Sequence, residues 1–246
     1  MKKQFLILAI TFITVAFISC SKEKIETQQS TNFEEIATAK GGGANGLPPV
    51  SNKGLLGRFE FNNNLKDATV QLADGVSTVN RVLYTTDRKG MANRAIRFNQ
   101  AYGVDIFDVP SSSEASLSVW VKHDLPVSPN WHLVLVSWQG FILQQMQTVF
   151  NCSFDNGINF QGVSAFPIDN KWHHMAVTRD SNELKFYVDG TLIGTSPTPA
   201  GSGPNIPLNH YKLAYGNGIF WQGALDDLRF YERILSADEV NTLANL

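Results

Sequence analysis

"KWHHMAVTRDSNELKFYVDGTLIG", residues 171–194, decides how the rest of the chain is read. At its centre stands Asp189-Gly190, flanked by "ELKFYV" and "TLIG". This pair takes the two positive φ angles of a type I′ turn, so the stretch predicts a two-residue β-hairpin. "WHHMAV" leads into that hairpin and is itself predicted to be a strand. Successive side chains on a strand point to opposite faces. Trp172, His174 and Ala176 then share one face, and His173, Met175 and Val177 the other. The adjacent histidines therefore cannot both reach one metal ion. One is expected to be hydrogen-bonded inside and the other to sit at the outer surface.

Similar signals recur along the chain. "SLSVWVK" places Leu117, Val119 and Val121 on one face. "LLGRFEF" alternates Leu56, Phe59 and Phe61 with Arg58 and Glu60, with a register shift at Gly57. "FDNGINF" predicts a second hairpin turning at Asn156-Gly157, and "GALDDLRFY" a last strand. "LSADEVNTLANL" is the one helix pattern: Ser236 caps it, Glu239 three residues on completes a capping box, and Val240 and Leu243 give it an apolar side. The 16 Phe, 5 Trp and 6 Tyr fit short strands and tight turns. Many strands without intervening helices predict an all-β sandwich or barrel. The roughly 190 residues from Gly54 onward suit a jelly roll of a dozen or so strands. A net charge of −2 gives no field to draw in nucleic acid.

The residues before Gly54 read differently. Lys2 and Lys3 precede an apolar run, Phe5 to Ile18, too short to span a bilayer. It ends in "FISC", which resembles a bacterial lipobox; the alternative is a plain secretory signal that contains a Cys. The resemblance implies a lipoprotein signal peptide over 1–19 and a diacylated Cys20 that anchors the chain to a membrane without spanning it. "SKEKIE" after Cys20 resembles the surface-export signal of Bacteroidetes lipoproteins, which implies an outer-membrane lipoprotein displayed at the cell surface; the alternative is a solvated tether with no export role. Residues 20–53 are polar, with "GGGANG" and "LPP", and are expected to form a flexible tether. "GGGANG" follows no strand and opens no helix, so a phosphate loop is rejected. Cys152 is left without an intrachain partner and is expected to be a small buried residue.

Five stretches in order resemble one family. They are "GRFEFNNNLKDAT", "TTDRKGMANRAIRFN", "SLSVWVK", "KWHHMAVTRDSNELKFYVDGTLIG" and "ALDDLRFYERILSADEV". Residues 54–246 are similar to the laminin G-like domains of the concanavalin A-like lectin/glucanase superfamily. The resemblance implies a two-sheet antiparallel jelly-roll sandwich with one short C-terminal helix. It also implies a frequent structural calcium, and roles in adhesion or glycan binding.

The superfamily includes glucanases, so the carboxylates of the chain bear on function. A retaining glycosidase needs two carboxylates about 5 Å apart. No Glu-x-Asp-x-Glu occurs in the folded region. Glu60, Glu114, Glu183, Glu232 and Glu239 lie apart, and Asp105 and Asp108 are three residues apart, facing opposite sides of a strand. There is no Gly-x-Ser-x-Gly elbow and no His-x-x-x-His zinc spacing. The expectation is a non-catalytic, monomeric, surface-anchored module that binds glycan. A protein-docking module of an outer-membrane or matrix complex is the alternative, and a glycoside hydrolase the weaker one.

The resemblance assigns Trp120, Trp172 and Trp221 to the core. That leaves Trp131 and Trp138 unassigned: they either fill or lid the sandwich, or form a sugar-stacking platform with Asn130, Gln139 and Tyr102 as its polar partners, or belong to a protein-binding surface. The family pattern turns Leu228 and Phe230 inward, and period two then turns Asp226 inward as well. An inward carboxylate needs a partner. Calcium held by Asp226, Asp67 and Asn64 is the expected one, Asp67 and Asn64 coming from the oxygen-rich "NNNLKD". Backbone N–H groups are the alternative partners.

Overall fold

A computed structural model describes residues 50, 52–110, 112–124, 132–137, 142–146, 149–153, 160–164, 166–198, 210–216 and 219–246. The strands are β1 Leu55–Phe59, β2 Val76–Ser77, β3 Leu83–Thr85, β4 Ala95–Asn99, β5 Val104–Phe107, β6 Ala115–His123, β7 His132–Ser137, β8 Ile142–Met146 and β9 Val149–Ser153. They continue with β10 Phe160–Ser164, β11 Trp172–Arg179, β12 Glu183–Val188, β13 Thr191–Pro197, β14 His210–Leu213, β15 Tyr215–Gly216, β16 Ile219–Phe220 and β17 Gln222–Tyr231; helix α1 spans Ala237–Leu243. Every strand pairing is antiparallel. One sheet runs β13-β12-β11-β6-β17-β4-β3 with β1 also on β17; the other runs β10-β9-β8-β7-β14-β5-β2. This is the jelly-roll sandwich that the sequence predicts.

The opening stretch folds as read. β12 and β13 form the hairpin, and Asp189 and Gly190 turn it at φ 49° and 78°. A Cβ on Gly190 would stand 3.0 Å from Asn241 Cα, so the turn packs closely on α1. β9 and β10 pair from Ser153↔Phe160, the register of a hairpin centred on 156–157; those turn residues lie outside the described ones. β1 shifts register between Leu55 and Gly57, as expected. Ser236 and Glu239 close the capping box, and Arg233 bridges Glu239 at 2.6 Å.

Among the described residues, two apolar clusters form. The larger fills the sandwich with inward residues of both sheets, among them Phe59, Phe98, Val119, Phe150 and Phe186, and with Trp221, which immediately precedes β17. The smaller lies on the outside of the eight-stranded sheet. There Leu235, Val240 and Leu243 from α1 and its approach cover Ala176, Tyr187 and Tyr231, and Val50 packs on them. Val50 belongs to the stretch read as tether, so packing begins at least four residues before Gly54.

β17 changes partner along its length, and this overturns one reading. Gln222–Leu225 pairs with β4, and Leu228–Tyr231 with β1. Against β6, Asp226 faces Trp120 and Arg229 faces Ser118. Two residues, Asp227 and Leu228, thus oppose the single Val119: a β-bulge, with Asp227 at φ 47°. The extra residue breaks period two. Leu228 and Phe230 do face the core, but Asp226 lies on the outer face opposite Trp120, not inward. Trp120 and Trp172 share that outer face and are half-buried, so neither is inside the sandwich; Trp221 is.

Candidate functional site

The outer face of the eight-stranded sheet carries a layer of ions. Asp87 accepts the backbone N–H groups of Lys89 (2.9 Å) and Met91 (2.7 Å), and this turn lays Arg88 over the sheet. Arg88 pairs with Asp226 at 2.5 Å and Asp227 at 3.3 Å, and its guanidinium carbon lies 5.2 Å from the Trp120 ring centre. Asp227 also takes Arg229 and Arg58. Burial raises the Asp226 carboxyl to about 6 against the pull of Arg88. Burial also acts on Asp227, but Arg229 and Arg58 outweigh it and hold that carboxyl at about 2.

These contacts bear on the expected calcium ligands. Asp226 has Arg88 as its counter-ion. Asp67 accepts backbone N–H from Arg58, Thr69, Gln71 and Leu72 and the Thr69 hydroxyl, so both of its oxygens are filled with donors. Asn64 is exposed and bonds Lys66 N and Asn62 O of its own loop. A hard cation needs free oxygens turned to one point. These three do not fit one, and no cluster of three or more metal-ligating side chains occurs among the described residues.

The paired histidines separate as their alternation requires. His174 is fully buried under the ion layer, with Nε2 2.8 Å from Ser118 Oγ, and burial lowers its pKa to about 3. It is therefore neutral. His173 lies near the surface between Asp189 (Nδ1, 2.7 Å) and Asp169 (Nε2, 3.0 Å). The Asp189 bond raises its pKa, with burial opposing and Asp169 assisting. Cys152 is buried, and burial raises its thiol well above the usual range, so it is inert.

The outer face of the seven-stranded sheet is the candidate ligand surface. Val104, Ile106, Tyr211 and Leu213 point into the core, so Asp105, Phe107, His210 and Lys212 point out. Phe107 is 36 % exposed and stacks on His210, with ring centres 4.4 Å apart and planes 16° apart. Asp105 Oδ1 holds both His210 Nε2 and the Tyr215 hydroxyl at 2.7 Å. A Cβ on Gly103 would stand 1.7 Å from the Tyr215 ring, so glycine is what lets the ring lie close. Lys212 Nζ is 4.7 Å from the centre of that ring. Farther along the same face, beyond β7, stand Gln144 and Asn151.

Of the expected platform, Trp131, Trp138, Asn130 and Gln139 lie outside the described residues. In the chain, 131 and 138 immediately precede and follow β7, a central strand of this sheet. Tyr102 is a correction. It is buried in the core against Phe98, its hydroxyl accepting from Leu83 N at 3.0 Å and donating to the Arg97 carbonyl, so it cannot meet a ligand. The sequence does not single out Phe107, His210 or Tyr215, and it offers Asp105 only as a possible catalytic carboxylate. The sequence signal was present in "YGVDIFDV" and "NHYKLAY", where apolar and polar residues alternate, but nothing local joins strands some hundred positions apart.

Comparison with known proteins agrees with this architecture. A family model described as the concanavalin A-like lectin/glucanases superfamily, of laminin G type, matches residues 98–241, more than half of the chain. The chain belongs to that family. Among solved structures it is similar to domain 4 of AbnA, a GH43 extracellular arabinanase from Geobacillus stearothermophilus, solved in complex with arabinotriose. There the TM-score is 0.63 at 20% identity, covering 77% of this chain and 98% of that one. It is also similar to botulinum neurotoxin type C, whose cell entry is described as dependent upon interaction with two ganglioside molecules (TM-score 0.64, 15% identity, 78% of this chain and 51% of that one). A third is the binding domain of botulinum neurotoxin DC in complex with SialylT (TM-score 0.60, 16% identity, 79% and 52%). The chain spans about half the length of these toxin chains. At such identities the likeness is one of fold. No curated protein matches the chain.

Proposed function

We propose that this chain is a non-catalytic glycan-binding module, held at the outer membrane by a diacylated Cys20 and displayed at the cell surface. One observation carries the binding reading: the exposed Phe107 ring stacked on His210, with Asp105 orienting His210 and Tyr215 beside it. Binding sites combine apolar or aromatic surface with a few fixed polar groups, and a pyranose meets such a face with its C–H side and its hydroxyls. The arabinotriose complex and the ganglioside dependence of proteins that share the fold support the same reading. Asp105 is committed to two donors, and the described strand residues of this face supply no second carboxylate for hydrolysis.

A glycan array probed with the mature chain tests the reading. Binding is expected, and Phe107→Ala is expected to weaken it tenfold or more with little change in Tm. An array with no signal, or one indifferent to Phe107→Ala, would sink it. For the anchor, Cys20→Ala should abolish palmitate labelling and release the chain from the membrane fraction, and protease added to intact cells should remove the native domain. A second reading, docking of a protein, is favoured by Val76, which is 52 % exposed on edge strand β2 beside this platform. Capture of a specific partner by a chain that binds no glycan would select it.

A further inference from the structure

The stack of Phe107 and His210 leaves two acceptor atoms at the surface. His210 on β14 stands directly opposite Phe107 on β5, and its side chain is 28 % exposed. Its Nε2 lies 2.7 Å from Asp105 Oδ1, an oxygen that also accepts the Tyr215 hydroxyl. A carboxylate has no hydrogen to give, so Nε2 carries the proton of this bond. A neutral imidazole has only one N–H, which leaves Nδ1 as a lone pair. Turning the ring would break the Asp105 bond and the stack on Phe107 together, so the direction of that lone pair is fixed.

Among the described residues, neither His210 Nδ1 nor Asp105 Oδ2 takes a hydrogen bond, and both atoms reach the surface. Lys212, the cation on the same face, is engaged with the Tyr215 ring. The open polar atoms of the Phe107 face are therefore acceptors, and one of them belongs to a carboxylate. A ligand carboxylate or phosphate would set lone pairs against lone pairs and like charge against Asp105. A metal ion would want a third ligating side chain, and no such cluster occurs among the described residues. A hydroxyl donates without carrying charge. A pyranose laid on an aromatic face holds its equatorial hydroxyls around the rim of that face, within reach of acceptors beside it.

We propose that His210 Nδ1 and Asp105 Oδ2 are the acceptors that select an uncharged, hydroxyl-bearing sugar for the Phe107 face. This rests on the glycan-binding reading and adds the class of sugar and the atoms that choose it. Asp105 thus has two parts: Oδ1 positions His210, and Oδ2 meets the ligand.

The test titrates the mature chain, His210→Gln, His210→Asn and Phe107→Ala calorimetrically at pH 8, where an ordinary imidazole is neutral. The probes are arabinotriose, cellotriose and maltotriose as uncharged sugars, trigalacturonic acid as the acidic one and the glucosamine trimer as the cationic one. The native chain is expected to bind at least one uncharged trimer, and the two charged trimers at least tenfold more weakly. His210→Gln keeps an N–H for Asp105 but has nothing at the place of Nδ1, and should weaken binding tenfold or more. His210→Asn sets its carbonyl oxygen at the place of Nδ1, and should recover part of that loss. In the 15N-labelled native chain the Nδ1 resonance of His210, assigned by its absence from His210→Gln, should move on saturation with the bound trimer. If His210→Gln binds like the native chain while Phe107→Ala does not, the acceptor role is overturned and the glycan reading stands. A Nδ1 resonance that stays in place overturns it as well, and decides alone should the variants fail to fold. Native binding that favours a charged trimer, or binding to none of the five, also overturns it; the glycan array then decides whether the broader reading survives.

Discussion

His173 and His174 are adjacent, yet the fold drives their titrations in opposite directions. His174 titrates near 3 when folded, against about 6.5 when exposed. Between those values the unfolded chain binds the extra proton, so stability falls as pH is lowered from about 6.5 toward 3. The loss is on the order of a few kcal/mol across that window. His173 is raised instead, so its contribution is complete below about 6.5 and is lost as pH rises through its folded value. His174→Gln should therefore flatten the acid side of a Tm-against-pH curve, and His173→Gln the side above 6.5. Profiles that match the parent's in both variants would refute the assignment. Burial likewise separates the tryptophans. Trp221 is fully enclosed, its Nε1–H bonded to His123 Nδ1 at 3.1 Å. Trp221→Ala should cost about 3–5 kcal/mol, or roughly 6 to 20 °C of Tm. Trp120→Ala should cost less than half as much, because its half-buried ring lies outside the sandwich. Equal losses would contradict that placement.

Among the elements, β17 carries the largest departure from simple reading. Its bulge falls where the strand leaves β4 for β1, and it turns two successive carboxylates toward one outer layer. Arg88 makes this tolerable, and it reaches the layer only because the Asp87 turn and Gly90, at φ 81°, shape its loop. Arg88→Met leaves Asp226 buried without its counter-ion, which typically costs about 3–5 kcal/mol. Asp226 already has a raised pKa, so its ionisation works against folding as pH climbs past 3.8. Without Arg88 that penalty grows. The deficit of the variant in Tm should thus be larger at pH 8 than at pH 5, and a deficit independent of pH would exclude Asp226 as its source. The filled oxygens of Asp67 lead to a related expectation: melting in EDTA and in millimolar Ca²⁺ gives the same curve. A rise in Tm with Ca²⁺ would require oxygens other than those of Asp67, Asn64 and Asp226.

For the molecule as a whole, the folded unit begins earlier than its composition indicates. Val50 packs on the cluster beneath α1, Asn52 O accepts Leu55 N at 3.0 Å, and Lys53 O accepts Arg233 Nε at 2.6 Å. A half-buried valine is worth about 1 kcal/mol, which corresponds to about 2–4 °C at this size. A chain starting at Gly54 should therefore melt at least that much below one starting at Gly41. Coincident curves would show that these residues add nothing.

Local physics determined the hairpin at Asp189-Gly190, the capped helix, the register shift at Gly57, the opposed histidine faces and the all-β class. Each depends on φ preference, alternation or capping within about a dozen neighbouring residues, and one sequence is enough to read those. The bulge in β17, the Arg88 counter-ion, the burial of Tyr102, the outward placement of Trp120 and Trp172, and the meeting of Asp105 with His210 and Tyr215 were decided only by the tertiary structure. They join positions up to 138 residues apart. They also depend on which strands become neighbours, and a single inserted residue reverses every face downstream of it.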